Sequence, residues 1–250
     1  MMNQFLNMLM RFLKINGKIK KQMKKNLIIA PAGDNSLFID WLGENQSFDV
    51  CTIYFGDSDE IFNEYKKNSK FCIKNKGQKW HLIYSFIKEN INNISQYDFF
   101  WFPDDDLKTN VNDINTIFEI SKKYDLELCQ PSMTGHVSYQ IERKVENSLL
   151  RFTSFVEIIC PMMSKNTCFN LLETFIINES GWGLDYLWPK LLGYSQDKIA
   201  IIDKVEVEHT RPVGSNYSNR FKKEPMQELN ELFRSHNLGF YQTVYKTILL

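Results

Sequence analysis

Three consecutive carboxylates follow an aromatic segment near the middle of the chain. Residues 97–103 read Tyr-Asp-Phe-Phe-Trp-Phe-Pro, and Asp104, Asp105 and Asp106 come directly after them. Aromatic segments of this kind are typical of buried strands, and adjacent carboxylates repel one another unless a cation lies between them. Since side chains alternate along an extended segment, Asp104 and Asp106 share one side and Asp105 points away. The pattern predicts a site for Mn²⁺ or Mg²⁺, which prefer carboxylate ligands; the alternative is a solvated turn.

Three further segments offer an acid or a metal ligand. Residues 181–185 read Gly-Trp-Gly-Leu-Asp, which predicts a tight turn followed by a helix with Asp185 in its first turn. There the helix dipole stabilises an anion, so Asp185 is either a reacting group or only a helix cap. His209 ends a predicted strand, where an imidazole is a common metal ligand, although a lone His is often structural. Glu157 lies in the otherwise apolar segment 155–159, where a buried carboxylate needs a partner or a role.

Cationic residues lie close to these motifs in the sequence. Lys79 precedes Trp80 at a predicted helix start, and Arg211 follows His209. Both are suited to a phosphate group, although Lys79 is equally interpreted as a solvated lysine. A polar turn also follows the first apolar run, and it begins with Pro31, Ala32, Gly33 and Asp34.

Strands and helices alternate in the first half, which predicts a parallel sheet. Hydrophobic periodicity and turn residues there predict strands at 27–30, 48–55, 71–73 and 97–102, and helices at 36–42, 61–67, 78–92 and 111–124. The second half is mixed. Its predicted strands are 126–130 ending at Pro131, a pair at 136–141 and 152–160, and short strands at 199–202 and 205–207. Its predicted helices are 164–177 with Ser164 as N-cap, 184–192 and 225–236.

Composition and charge distribution restrict the class of protein. The chain has 250 residues and a net charge of zero, but residues 1–33 contain seven Lys or Arg and no acid. The remainder is therefore acidic, which argues against nucleic-acid binding. The five cysteines are scattered and form no Cys-x-x-Cys pair, so they are interpreted as small buried hydrophobes in a reducing, cytoplasmic setting.

The first 25 residues form a basic leader. Its apolar stretch at 5–15 is interrupted by Arg11 and Lys14, is too short to span a bilayer, and lacks the order of a signal peptide. Three interpretations remain for it: an amphipathic helix on the inner face of an anionic membrane, a helix packed on the body, or a disordered leader. Because no long linker or repeat interrupts the rest, we expect one domain over residues 26–250.

The order of these motifs resembles the GT-A glycosyltransferases, and more closely the family called domain of unknown function 707. The resemblance covers about residues 75–215 and rests on the segments 78–80, 97–107, 130–131, 155–161, 182–185 and 207–209. The chain departs from the family pattern at Gly181 and before Gly77, where the match is only general, and at two further places. Asp105 stands where the family has Glu, and residues 132–154 match poorly, which leaves the acceptor open.

The resemblance implies a GT-A-like α/β fold with a mostly parallel central sheet, and transfer of a sugar from a nucleotide-diphosphate sugar to a glycan or lipid-linked acceptor. The implied roles are as follows. The metal, Mn²⁺ or Mg²⁺, is bound by Asp104, Asp106 and His209. The donor is bound by Pro31, Ala32, Gly33, Asp34, Lys79, Asp104, Asp105 and Arg211. Trp182 and Gly183 contact the acceptor substrate, and the candidate catalytic residues are Asp185, as general base, and Glu157.

Two other functions fit parts of the pattern. A haloacid-dehalogenase-type phosphatase also ends a strand in Asp-x-Asp, but it expects Thr or Val at the position of Lys108. A non-catalytic glycan-binding or assembly protein with the same fold would retain the motifs and lack turnover.

Overall fold

One ten-stranded sheet organises the part of the chain that the computed structural model describes, residues 24–212 and 221–250. Its strands are β1 (Asn26–Ala32), β2 (Phe48–Tyr54), β3 (Phe71–Lys74), β4 (Phe99–Trp101), β5 (Leu107–Lys108), β6 (Leu128–Gly135), β7 (Ser148–Thr153), β8 (Met162–Ser164), β9 (Ile199–His209) and β10 (Val244–Leu249). The strand order is β10-β7-β9-β6-β8-β4-β1-β2-β3, and β5 pairs with β9. The helices are α1 (Asp59–Asn68), α2 (Lys79–Ile94), α3 (Val111–Lys123), α4 (Lys165–Leu171), α5 (Leu184–Leu191) and α6 (Pro225–His236). This mixed α/β architecture confirms the predicted fold class.

The first half of the sheet is parallel, as the alternation of strands and helices predicted. β1 lies between β2 and β4 and pairs with both in parallel register. Its side chains alternate between two apolar clusters, with Ile28 and Ala30 in one and Leu27 and Ile29 in the other. Because both faces are covered, β1 consists almost entirely of apolar residues.

Antiparallel pairing dominates the second half. β8 is inserted between β4 and β6 and runs antiparallel to both, while β6 and β9 are parallel. β7 pairs antiparallel with β9 and with β10 at the edge of the sheet. The short β5 pairs antiparallel with the end of β9, which sets Leu107 opposite His209.

All five strands predicted in the second half differ from the structure in their bounds or do not form. β6 continues through Pro131 to Gly135, because the register with β9 shifts between Pro131 and Ser132 and so accommodates a residue without an N–H. The expected pair at 136–141 and 152–160 does not form. The segment 136–141 leads into a 3₁₀ turn, Gln140–Glu142, and the strand lies earlier, at β7. The two short strands at 199–202 and 205–207 are one strand, β9, and the predictions missed β5 and β10.

Two helix predictions were also too long. The segment 36–42 contains only one 3₁₀ turn, Phe38–Trp41, and the expected helix at 164–177 divides into α4 and a 3₁₀ turn, Leu172–Ile176. Ser164 is the predicted N-cap, since its hydroxyl accepts from the Thr167 N–H. The other helices lie within two residues of their predicted bounds, and α6 matches them.

The basic leader lies outside the described residues except for Lys24 and Lys25, so its three interpretations stay predictions. Within 24–212 and 221–250, no helix is both long enough and apolar enough to cross a bilayer. All five cysteines are free, and four of them are buried, in agreement with their interpretation as small hydrophobes.

Candidate metal centre and active-site cavity

The three aspartates are positioned by the chain on either side of them. After β4, the Phe102 N–H donates to Pro161 O at 2.9 Å and the Asp104 N–H donates to Ile159 O at 2.8 Å. Beyond the aspartates, β5 pairs with the end of β9, and the Thr210 N–H and hydroxyl both donate to Asp106 O, at 3.2 and 2.8 Å. The acidic segment therefore crosses from the parallel half of the sheet to His209.

Asp104, Asp106 and His209 form the predicted cluster. Each offers one ligand atom, and these atoms all lie within 4.8 Å of one another. His209 Nε2 is 3.3 Å from Asp106 Oδ2, while the Nδ1–H donates to His136 O at 2.6 Å. That backbone contact fixes the ring orientation and leaves Nε2 turned towards the carboxylates, the arrangement usual for metal-binding histidines.

Asp106 and His209 stabilise each other's charged forms. Burial opposes charge on both partners, but the hydrogen bond and charge of Asp106 outweigh it and raise the pKa of His209. Likewise, the His209 contact lowers the pKa of Asp106 despite the burial of that carboxyl. A divalent cation would replace the imidazole proton. Two carboxylates and one imidazole are a donor set that fits Mn²⁺ or Mg²⁺.

Asp105 points away from this cluster, as the alternation predicted. Its Oδ2 accepts from the Gly33 N–H at 2.8 Å, and its Oδ1 lies 3.2 Å from Arg211 Nη1. Burial raises the pKa of Asp105, and the Gly33 N–H and the Arg211 charge oppose that rise. A Cβ on residue 33 would lie 2.8 Å from a ring carbon of Phe55, so only glycine lets the backbone come this close to the Phe55 ring. Asp105 thus fixes the end of β1 and Arg211 at the same edge of the sheet.

Lys79, the first residue of α2, holds a fixed cation beside Asp104. Its Nζ is 2.5 Å from Asp104 Oδ1 and donates to Ile158 O and Ile159 O, at 2.8 and 2.9 Å. The side chain is 18 % exposed, which excludes the interpretation as a solvated surface lysine. Its ammonium group faces the same cavity as the three aspartates.

A cavity of about 470 Å³ joins the metal cluster to Asp185 and Glu157, which both line it. Asp185 lies in the first turn of α5, after Gly183 in a left-handed conformation with φ of 94°. Burial, followed by the charge of Glu157, raises the pKa of Asp185 well above its usual value, so desolvation outweighs the helix dipole. In the described part of the chain, its buried Oδ1 has no hydrogen-bond partner, while backbone hydrogen bonds at the start of α5 oppose the rise in its pKa, so both interpretations of Asp185 stay predictions.

Glu157 is buried as predicted, but in a loop rather than a strand. Its N–H donates to Gln130 Oε1 at 2.5 Å, and its Oε1 accepts from the Ile158 N–H at 3.0 Å. Burial raises the pKa of Glu157 to about 7. The charges of Asp104, Lys79 and His209 also act on this pKa, and the charge of Glu157 acts in turn on the pKa of Asp185.

Sequence reasoning missed a third buried carboxyl, Glu142. Its Oε1 accepts from the Tyr139 N–H at 2.5 Å, and burial together with the charge of Glu157 raises its pKa to about 9. The turn is held by Arg151, which donates to the carbonyls of Ile141 and Arg143 and forms a buried ion pair with Asp203. No sequence signal marked Glu142, because the residues that follow it are charged and exposed.

The remaining predicted residues divide into two groups. The first group lines the cavity and consists of Pro31, Lys79, Trp182, Gly183 and Arg211. The end of β1 contributes less than expected: Ala32 is buried within the strand, Gly33 binds Asp105, and Asp34 accepts a hydrogen bond from the Tyr54 hydroxyl.

The structure resembles solved glycosyltransferases. GalNAc-T7 with UDP, GalNAc and Mn²⁺ superposes with a TM-score of 0.61 at 11% identity, over 85% of this chain and 48% of that one. S. aureus TarS superposes with a TM-score of 0.51 at 11% identity, over 85% of this chain and 43% of that one. TarS 1-349 in complex with UDP-GlcNAc superposes with a TM-score of 0.52 at 15% identity, over 86% of this chain and 72% of that one. The chain has the GT-A glycosyltransferase fold. It spans less than half of the TarS and GalNAc-T7 chains in these two structures.

Sequence comparison adds no closer relationship. No protein-family model matches the chain, and no curated protein matches it. The resemblance to the domain of unknown function 707 therefore stays a prediction, and at 11–15% identity the solved structures establish the fold alone.

Proposed function

We propose that this chain is a metal-dependent glycosyltransferase that moves a sugar from a nucleotide-diphosphate sugar to a hydroxyl group of a glycan or lipid-linked acceptor. The observation that carries the proposal is the cluster of Asp104, Asp106 and His209 within 4.8 Å, at the edge of a cavity of about 470 Å³. A GT-A fold with such a cluster at the carboxyl ends of its strands suits a diphosphate donor.

The donor end of the cavity is cationic once a metal is present. Asp104, Asp106 and His209 would hold Mn²⁺ or Mg²⁺, which supplies Lewis-acid stabilisation of the departing nucleoside diphosphate. Lys79 is held by two carbonyls and Asp104, so its charge is oriented before the donor binds. Arg211 is held by Asp105 and adds a second fixed cation for phosphate oxygens.

Asp185 and Glu157 together suit the removal of the acceptor proton. Their charges interact, so ionisation of one carboxyl favours retention of a proton on the other. Asp185 lines the cavity, its buried Oδ1 has no hydrogen-bond partner among the described residues, and its raised pKa makes the ionised carboxylate a strong base. We assign the role of general base to Asp185, and Glu157 shares the proton that Asp185 takes up.

Calorimetric titration tests the proposal. UDP, GDP, CDP and TDP are titrated into the protein with and without Mn²⁺, and at least one is expected to bind more tightly with the metal. Asp106→Asn should abolish the metal-dependent part. Asp185→Asn should retain it and remove sugar transfer, while Asp197→Asn, which changes an exposed carboxylate, should change neither. Failure of all four nucleotides to bind in a metal-dependent way would refute the proposed function.

A further inference from the structure

Apolar side chains line one side of the cavity. Met226 and Leu229 on α6, and Phe240 after it, all contribute to the lining. Leu229 is buried, but Met226 is 54% exposed and Phe240 is 66% exposed. We refer to these three residues as the apolar wall. Large exposed apolar side chains grouped at a cavity are typical of a surface that a ligand covers.

The apolar wall is attached to the turn that carries Asp185. Both carboxylate oxygens of Glu228 on α6 accept backbone N–H groups ahead of that turn, from Glu179 at 3.0 Å and Ser180 at 2.8 Å. A Cβ on Gly183 would lie 2.9 Å from a methyl carbon of Leu232 and 3.2 Å from one of Leu229. α6 therefore packs directly on the backbone that positions Asp185.

Phe240 is exposed but held in place. Its ring lies 4.8 Å from the ring of Phe233 and 5.4 Å from that of Tyr186, which follows Asp185 in α5. The Tyr186 hydroxyl in turn accepts from Gln242 Nε2 at 2.7 Å. An aromatic ring fixed in this way loses little conformational entropy when a ligand covers it.

The chemistry of the wall selects the kind of group that would cover it. Met226, Leu229 and Phe240 carry no strong hydrogen-bonding group, so they offer no partner to sugar hydroxyls, and only the C–H face of a sugar ring could pack on them. An alkyl or aryl group gains from the same contact. Sugar hydroxyls and phosphates find partners instead at the end formed by Lys79 and the aspartates.

We propose, on the basis of the glycosyltransferase function above, that the acceptor carries an apolar aglycone and that this aglycone packs against Met226, Leu229 and Phe240. The reacting hydroxyl then lies towards Asp185, because α6, which carries Met226 and Leu229, packs on the turn that precedes Asp185. This assignment narrows the acceptor class to lipid-linked or similarly apolar glycosides.

The test compares two acceptor probes that differ in the aglycone alone. Octyl β-D-glucoside, below its critical micelle concentration, and methyl β-D-glucoside are titrated into the protein with Mn²⁺ and the nucleotide that binds best. We expect the octyl compound to bind at least tenfold more tightly. Met226→Gln and Phe240→Ser should each reduce that preference at least threefold. The control Leu249→Gln changes a side chain that is 69% exposed on β10 and should leave the preference unchanged.

Nucleotide binding separates the two proposals. If a nucleotide binds with Mn²⁺ but the two glucosides bind equally, the aglycone assignment is overturned and the transferase function stands. The aglycone assignment is also overturned if Met226→Gln and Phe240→Ser leave the octyl preference intact, or if they weaken the binding of a short oligosaccharide instead. Unchanged nucleotide affinity in both variants shows that they are folded. Octyl binding without any metal-dependent nucleotide binding would overturn the assignment as an acceptor subsite together with the transferase function.

Discussion

Replacement of Glu142 by Gln is expected to remove part of the loss of stability that this fold undergoes as pH rises. The Glu142 side chain is 0% exposed, and burial together with the charge of Glu157 raises its pKa from 4.5 to about 9. The folded protein therefore retains a proton that the unfolded chain releases above pH 4.5. The stabilising effect is complete below that pH and is lost as pH approaches 9.

The size of the effect follows from the pKa difference. While one more proton is bound in the folded state, the free energy of unfolding falls by about 1.4 kcal/mol for each pH unit. Between pH 6 and pH 8, Glu142 thus accounts for a loss of about 3 kcal/mol. Gln cannot ionise, and its amide has nearly the same shape, so the variant should lose about 3 kcal/mol less over the same interval.

Urea unfolding at pH 6, 7 and 8 measures this difference, provided that the m-value stays constant. Glu146→Gln is the matched control, because it removes an exposed carboxylate four residues away and should follow the wild-type pH dependence. Equal slopes of stability against pH for the wild type and Glu142→Gln would show that the buried carboxyl is ionised in the folded state, contrary to this reasoning.

Three further substitutions test other parts of the account. Arg151→Met leaves the Asp203 carboxylate buried without its partner and should lower the free energy of unfolding by about 3–5 kcal/mol in urea; a loss below 1 kcal/mol would contradict a structural role for the pair. Gly183→Ala forces a side chain into φ of 94° against Leu232, so thermal unfolding should show about 2 kcal/mol of destabilisation, and an unchanged midpoint would argue against this turn. Lys79→Met should weaken nucleotide binding at least tenfold in calorimetry and retain Mn²⁺ binding; equal nucleotide affinity would exclude a phosphate contact.

The metal cluster was the most predictable part of the site. The alternation of side chains along an extended segment was enough to place Asp104 with Asp106 and to turn Asp105 away. The contribution of His209 was harder to predict, because it depends on pairing between β5 and β9 across about 100 residues of chain. Its place at the end of a predicted strand marked His209 as a candidate ligand, and the resemblance to GT-A enzymes supported that assignment.

The errors in the second half have a common cause. Local rules ended a strand at Pro131 and divided β9 into two pieces, but the shifted register between β6 and β9 accommodates both strands at full length. Glu157 was expected in a strand because its neighbours are apolar, yet those neighbours are buried in a loop. Tertiary packing determined each of these outcomes, and it is not encoded in short-range patterns.

Buried carboxyl groups mark the limit of sequence reasoning. Glu142 follows a polar segment and precedes exposed charges, so nothing in its sequence context predicts a buried carboxyl with a pKa of about 9. Only the folded chain shows that Arg151 fixes the surrounding turn. The edge strand β10 was missed for a related reason, since its exposed, alternating residues give a weak apolar signal.

The central claim is that Asp104, Asp106 and His209 hold a divalent cation beside a diphosphate. Crystals grown with MnCl₂ and the best-binding nucleoside diphosphate test it most directly, because the anomalous signal of manganese locates the ion independently of the protein. The account predicts a peak bonded to these three side chains and to phosphate oxygens. Bound nucleotide with no manganese among the three side chains would contradict it.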